Sequence, residues 1–368
     1  MARERGTVVA AERIPGIDLA RFLAVAGMLA VHVGPMGLTD PAGRLYAELT
    51  HGRASILFGL LAGIGVSLLA QSRSATLGDT RIRLVWQAAL LLPLGLWLQN
   101  LDITIRVILA HYAMLFLLGA ACVGLATRSL ATLAAAALAF GPFAFQLGRT
   151  LAPGTFNRAP VEWGDTPFAI AHGLLLSGPY PLITWAAPFL LGMLLGRQDL
   201  REPRLRLALV VGGSMLVVVA AVSSIALRQF LGEADAPGAW LRLLDDRPHS
   251  QMPPWIIGST GSALLVLGLS LVAADRLARL IWPLVTAGQL ALTLYVAHIL
   301  AFHWFGSTLR SQQVMDGLTV VAAALAAGVL FAVLWRSRLP RGPLELLMAM
   351  PTIVCRWRRA SLQDRSRG

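Results

Sequence analysis

The stretch "LTHGRASILFGLLAGIGVSLLA", residues 49–70, decides how the chain is read. His51 and Arg53 stand near its head, and from Ala54 to Ala70 no residue is charged. A helix rises about 1.5 Å per residue, so this run approaches the roughly 20 apolar residues needed to cross a hydrocarbon core of about 30 Å. It also contains Gly59 and Gly63, the GxxxG spacing that lets helices approach closely in lipid, which predicts a packing face. His51 then has two readings: a group placed for chemistry, or a polar residue marking where a membrane helix meets water.

Working outward, the whole chain shares this character. Of 368 residues, 56% are hydrophobic and 14% charged, with a mean hydropathy of +0.67, too apolar for an ordinary soluble domain. The expected fold is all-α, a polytopic bundle of about ten transmembrane helices near 16–34, 54–71, 84–100, 106–126, 129–148, 180–196, 207–227, 254–274, 281–304 and 317–335. The apolar piece "TPFAIAHGLLLSG", residues 166–178, is too short to span and is expected to be re-entrant or interfacial. The organisation follows: residues 1–15 a cytoplasmic segment, 16–347 a single transmembrane domain, 348–368 a basic cytoplasmic tail. The first apolar run, ending in "HVGP" without a small-residue cleavage site, is expected to be retained as a helix.

All 31 basic residues are arginine, against 19 acidic ones. They cluster between apolar runs and do not alternate with aromatics along a polar face, so nucleic acid is not an expected partner. Twenty-one fall in one set of loops and termini and nine in the other, which places both termini in the cytoplasm. The opposite loops, 35–53, 149–179 and 228–253, are the longer ones and the natural place for substrate contacts. Cys122 and Cys355 form no CxxC motif, so neither a disulfide nor a zinc site is expected.

All seven histidines fall on the extracytoplasmic half of this topology. His32 ends the first span, His51 opens the second, His111 begins the fourth, His298 and His303 end the ninth, and His172 and His249 lie in outer loops. Any one of them reads most simply as an interfacial polar residue, but the group points to a wet or functional cavity. His298 and His303, five residues apart, lie about 140° apart around a helix and do not share a ligand. Tyr295 and His298 are i,i+3 and face one place. Asp18 and Arg21, also i,i+3, can neutralise each other; alternatively Arg21, with Arg83, offers positive charge to an anionic cofactor. Asn100 and Asp102 read as a solvated cap. There is no metal motif, phosphate loop or nucleophile elbow.

Four segments carry a resemblance. "RIPGIDLARFLAVAGMLAVHV" (13–33) resembles the first-helix signature of the transmembrane acetyltransferases related to heparan-alpha-glucosaminide N-acetyltransferase. "SILFGLLAGIG" (55–65), "LTLYVAHIL" (292–300) and "RGPLELL" (341–347) resemble segments of YeiB-like bacterial membrane proteins of the same broad acyltransferase group. Here Phe22 replaces the glycine after Arg21, His32 replaces an asparagine, and "GRA" follows His51.

The resemblance implies an acyltransferase of the bacterial cytoplasmic membrane. It would take an acetyl or other acyl group from acyl-CoA, bound from the cytoplasm without a metal, and pass it to a sugar, glycan or lipid-linked acceptor on the far side. His51 would be the base or nucleophile, because a neutral imidazole is available near neutral pH. His32 and His298 would complete the catalytic set, Arg21 and Arg83 would hold the donor, and Arg53, His111 and Tyr295 would contact the acceptor. The expected partners are the bilayer and the acceptor, with a second copy in a homodimer as a further option. The alternative is a small-solute permease or exporter without covalent chemistry, against which the lack of repeated halves and of matching Gly/Pro-broken helices argues mildly. A third reading is a structural partner of other envelope proteins.

Overall fold

The computed structural model describes residues 13–34, 52–72, 76–101, 104–231, 240–311 and 313–351. His51 and Asp102 lie outside them, as does most of the basic tail. The fold is all-α, with no strand among the described residues.

The helices in chain order are α1 (Pro15–Val33), α2 (Arg53–Ala70), α3 (Leu77–Gln99), α4 (Leu109–Cys122), α5 (Thr127–Leu151), α6 (Pro167–His172), α7 (Leu182–Leu195), α8 (Pro203–Leu231), α9 (Pro253–Arg276), α10 (Ala278–Gly288), α11 (Ala291–Leu309) and α12 (Val314–Arg336). A π-helical turn, Gly173–Ser177, extends α6; a 3-10 turn, Trp240–Leu244, precedes α9; residues 343–351 are again helical.

Among the described residues seven helices are each long and apolar enough to cross a membrane, and nine spans result if two bent pairs each count as one. Every one of the ten expected positions is helical, but α4 has only 14 residues. The α3 helix, expected to be short, has 23 residues because a capping box starts it earlier: Asp79 N–H donates to Thr76 Oγ1 and Thr76 N–H to Asp79 Oδ2, both at 3.1 Å. The apolar piece at 166–178 becomes α6 plus the π turn and meets α7 at 58°; α10 meets α11 at 65°.

Burial sorts the helices into centre and rim. In α1, 67% of the apolar window is buried, against 17% in α8 and α12. The outer faces of α8 and α12 still carry exposed Val218, Val219, Val222, Leu330 and Phe331. In water such faces would aggregate; in lipid they are the solvent-matched surface, and the chain is a multi-pass membrane protein.

At the centre, α2 crosses α7 at glycines. A Cβ on Gly63 would stand 2.0 Å from the Phe189 carbonyl oxygen, and one on Gly192 would stand 2.0 Å from that of Leu60. The predicted packing role of the GxxxG pair thus falls mainly on Gly63, with Gly59 in ordinary contact with Trp185 and Tyr112. The crossing fixes α2, whose other faces line the candidate site.

Candidate functional site

The site is built along α2 and α1. At the end of the bundle where α1 starts and α12 stops, Arg13, Arg21, Arg83, Arg336 and Arg341 line a cleft of about 310 Å³. Among the described residues its one lining carboxylate, Glu345, is committed to the start of α11. There it accepts from the Leu292 and Thr293 N–H groups at 2.9 and 3.0 Å and from Thr293 Oγ1 at 2.6 Å. A carboxylate in that place satisfies backbone donors that a helix start leaves open and suits the positive end of its dipole. The "RGPLELL" segment therefore has a structural job, closing the break between α10 and α11. Arg336 Nε donates to Gln289 Oε1 at 3.0 Å on the same break.

Arg21 and Arg83, expected to act together, do line the same cleft. Arg21 Nη1 donates to Asp18 Oδ1 at 2.8 Å, the anticipated i,i+3 pair. The Asp18 side chain is buried and that of Arg21 is one-third exposed, so the guanidinium both neutralises the carboxylate and faces the cleft.

The cleft continues into a second cavity of about 250 Å³ that shares Arg21, Phe58, Arg83 and Gln87 with it. This cavity is mostly apolar and runs beside α2 past Leu61 to Leu109, Tyr112 and Phe116 on α4. The Tyr112 hydroxyl is buried there without a hydrogen-bond partner among the described residues. A polar atom left so is costly unless something else satisfies it, which makes it a candidate contact in this cavity.

Toward the other end of α1, His32 and His298 meet. His32 Nδ1 lies 3.0 Å from His298 Nε2, so one ring donates and the other accepts, and the rings stack with centroids 5.2 Å apart. Phe302 packs edge-on to both, and the Tyr295 ring lies 4.9 Å from that of His298. The Tyr295 hydroxyl accepts from the Ile108 N–H at 3.2 Å, which ties α11 to the start of α4. Tyr295 is thus a brace beside the histidine pair, its hydroxyl oxygen engaged as an acceptor.

His111 and Arg53 stand elsewhere. The His111 ring packs edge-on against Tyr180, 5.2 Å away, with one nitrogen turned to the Val107 carbonyl and no aligned hydrogen bond at either. Arg53 Nη1 donates to Ser262 Oγ at 3.1 Å on α9. His303 bonds the Leu101 carbonyl and His172 bonds Ser177 Oγ, both at 2.8 Å. Asn100, read as a solvated cap, accepts from the Trp163 N–H at 2.7 Å as well.

Sequence reasoning missed the aromatic cluster that frames the entrance to α2. Tyr180 stacks edge-on with His111, Trp185 and His249, and His249 lies 5.3 Å from Trp255. A Cβ on Gly52, whose φ is +76°, would lie 3.0 Å from the Trp255 ring and 3.4 Å from His249 Nε2. The residue directly after His51 is therefore walled by these two rings. His249 and Gln251 both have positive φ, at 58° and 69°. Arg158 Nη1 holds the His249 carbonyl at 2.8 Å. Gln251 Oε1 accepts from Thr184 Oγ1 and Trp185 Nε1, while its Nε2 donates to the Pro179 carbonyl. Strained backbone kept in place by such a network is characteristic of binding sites. The sequence signal was loop composition alone, since 149–179 and 228–253 were the segments expected to carry substrate contacts.

The loops here are electropositive. Burial, and then the charges of Arg106 and Arg242, lower the Arg158 guanidinium from its ordinary value. Burial alone would raise the Asp245 carboxyl, but hydrogen bonds from the Arg247 side chain and backbone outweigh it and hold the group below its usual range.

Among known proteins, no curated sequence matches the chain. Residues 194–353, from the last turn of α7 through α12 and the segment holding Glu345, match the family described as "Protein of unknown function (DUF418)", which includes the YeiB-like proteins.

Proposed function

We propose that the protein is an integral membrane acyltransferase that takes an acyl group from an acyl-CoA, acetyl-CoA in the simplest case. The acceptor would be a sugar, glycan or lipid-linked molecule on the other side of the membrane. The observation that carries the proposal is the continuity of the arginine-lined cleft with an apolar cavity beside α2. Guanidinium groups suit phosphate oxygens, and an uncharged passage behind them suits the thin, weakly polar arm that bears the acyl group. The motif resemblances to the heparan-alpha-glucosaminide N-acetyltransferase group support the same reading, as does the arginine bias, on which the cleft and both termini would face the cytoplasm.

Acyl-CoA supplies an activated thioester. In this reading the His51 imidazole, in the neutral form, takes the proton of the acceptor hydroxyl or amine as that atom bonds to the thioester carbonyl carbon. The carbon–sulfur bond then breaks, and the sulfur leaves as a thiol carrying that proton. His32 and His298 hold or orient the acceptor, and the aromatic wall around Gly52 shields the start of α2 from water.

The permease reading has one feature in its favour. The two bent pairs, at 58° and 65°, are broken elements of the kind that transporters use at substrate sites. The test is thermal-shift titration of the detergent-purified chain with acetyl-CoA against CoA and an unrelated nucleotide, followed by transfer assays with His51→Ala. Acetyl-CoA should stabilise the wild type, Arg83→Ala should weaken that about tenfold, and His51→Ala should bind donor but transfer nothing. Solute uptake into vesicles without any acyl donor, with no donor binding, would favour the permease instead.

A further inference from the structure

A third cavity, about 370 Å³, lies between α1, α11 and α12. Among the described residues no charged one lines it, and the polar ones that do are Thr293 and His298. The Thr293 hydroxyl is committed to Glu345, which leaves the imidazole. His298 is 9% exposed, bonded to His32 through Nε2, with Nδ1 turned toward the Leu294 and Tyr295 carbonyls without an aligned bond. The gap exists because small residues face it from both helices, Ala297 and Ala301 from α11 and Ala324 and Gly328 from α12. Ala297 and Phe331 are exposed, so the cavity opens sideways onto the surface that meets lipid.

Its dimensions select an occupant. Along α1 the lining runs from Phe22 to Val33, a rise of about 16 Å, which matches one leaflet of a hydrocarbon core about 30 Å thick. The volume holds about a dozen methylene-sized groups if each takes about the 30 Å³ of a water. An uncharged gap open to bilayer neither holds water nor stays empty, because unfilled walls forfeit dispersion contacts. A hydrated solute finds one imidazole there and no charge.

We propose that this groove binds one hydrocarbon chain of a lipid from the leaflet at the His32 end, and brings that lipid's headgroup to the His32–His298 pair. A single-chain or lipid-linked molecule with a free hydroxyl or amine is the class of ligand that fits. That the lipid is the acyl acceptor rests on the acyltransferase reading; that the groove binds it does not.

The experiment reconstitutes the full chain in phosphatidylcholine vesicles containing a long single-chain alcohol with a mid-chain photoactivatable diazirine. Label should concentrate on α11 and α12. A Cβ on Gly328 meets only Leu294 Cδ2, at an ordinary 3.5 Å, so Gly328→Leu fills the groove without breaking a backbone contact; Ala301→Phe fills it from the other helix. Both variants should lose label on α11 and α12 several-fold and keep it on α8. Even labelling of all rim helices, or no loss in either variant, would overturn the proposal, since the lipid would then be ordinary annular lipid. Efficient disulfide trapping between copies through Ala327→Cys would also overturn it, by showing that a second copy covers the groove. If the filled variants lose label while acetyl-CoA stabilises no form of the protein, the lipid site stands and the acyltransferase reading falls. If donor binding persists and label never localises, the reverse holds.

Discussion

Two cavities share helices α1 and α11 yet have opposite chemistry. Arg21 and Leu292 face the cleft with five arginines, whereas Phe22 and Thr293, the next residues along each helix, face the uncharged groove. One helix position turns a side chain by about 100°, enough to separate an arginine-lined surface from a lipid-matched one. The contrast shows how a thin α-helical wall can serve two partners of unlike polarity while charge stays out of the lipid-facing side.

The comparison breaks most visibly at the α2–α7 crossing, because the cavity beside α2 rests on it and the groove does not. Gly63→Leu puts side-chain atoms into the Phe189 backbone. It is expected to cost at least about 3 kcal/mol, the upper end of overpacking effects, and to abolish monodisperse protein in size-exclusion chromatography. Gly328→Leu should leave the elution profile unchanged. Equal tolerance of both would show that the crossing is not what holds the cleft wall.

Arg21 offers the next test. Removing it leaves the Asp18 carboxylate buried without its partner, and the cost of breaking such a pair falls to about 2 kcal/mol here because Arg21 is one-third exposed. Thermal unfolding of Arg21→Ala should show that loss, and Asp18→Asn added to it should restore most of it without restoring donor binding. If the double variant regains both, Arg21 serves the fold alone.

Tyr295→Phe sharpens the histidine side. It strips the Ile108 N–H of its acceptor at a buried site, with an expected cost of about 1–2 kcal/mol. If Tyr295 is only a brace, transfer should persist in the folded fraction; a complete loss at normal stability would make its hydroxyl part of the chemistry.

The smallest effect concerns the outer loops. Asp245 is held below its usual range in the fold, so its stabilising contribution is complete above about pH 4, the unfolded carboxyl value, and is lost as pH falls through the lowered one. Arg247 is 59% exposed, so the contribution stays below about 1 kcal/mol. Asp245→Asn should flatten the acid limb of a melting-temperature profile and leave neutral pH little changed.

Much of this was legible beforehand where a single element decides the matter. The apolar runs placed a helix at each of the ten expected positions, because crossing lipid is a local demand for about twenty apolar residues, but they missed the bend that splits 281–304 into α10 and α11 and the helix at 343–351, and seven to nine spans result instead of ten. Asp18 with Arg21, and Tyr295 with His298, were readable because i,i+3 neighbours share a face whatever the helix packs against. The start of α3 was misjudged because its capping box lies within a polar turn that hydropathy ignores. The aromatic wall at Gly52 escaped because Tyr180, Trp185, His249 and Trp255 come from separate segments, and nothing local relates them.

By itself, then, the sequence determined that the chain is an all-α membrane bundle, where its apolar runs become helical, and that Asp18 and Arg21 neutralise each other along one helix. Hydrocarbon thickness and helical periodicity act on each segment alone. Only the tertiary structure decided that His32 meets His298, that five arginines from distant segments line one cleft, that the α10–α11 break is closed by Glu345, and that small residues leave a groove between α11 and α12. Those arrangements depend on how helices cross, and crossings are set by contacts between residues far apart in the chain, 53 positions for Leu292 and Glu345 and 266 for His32 and His298.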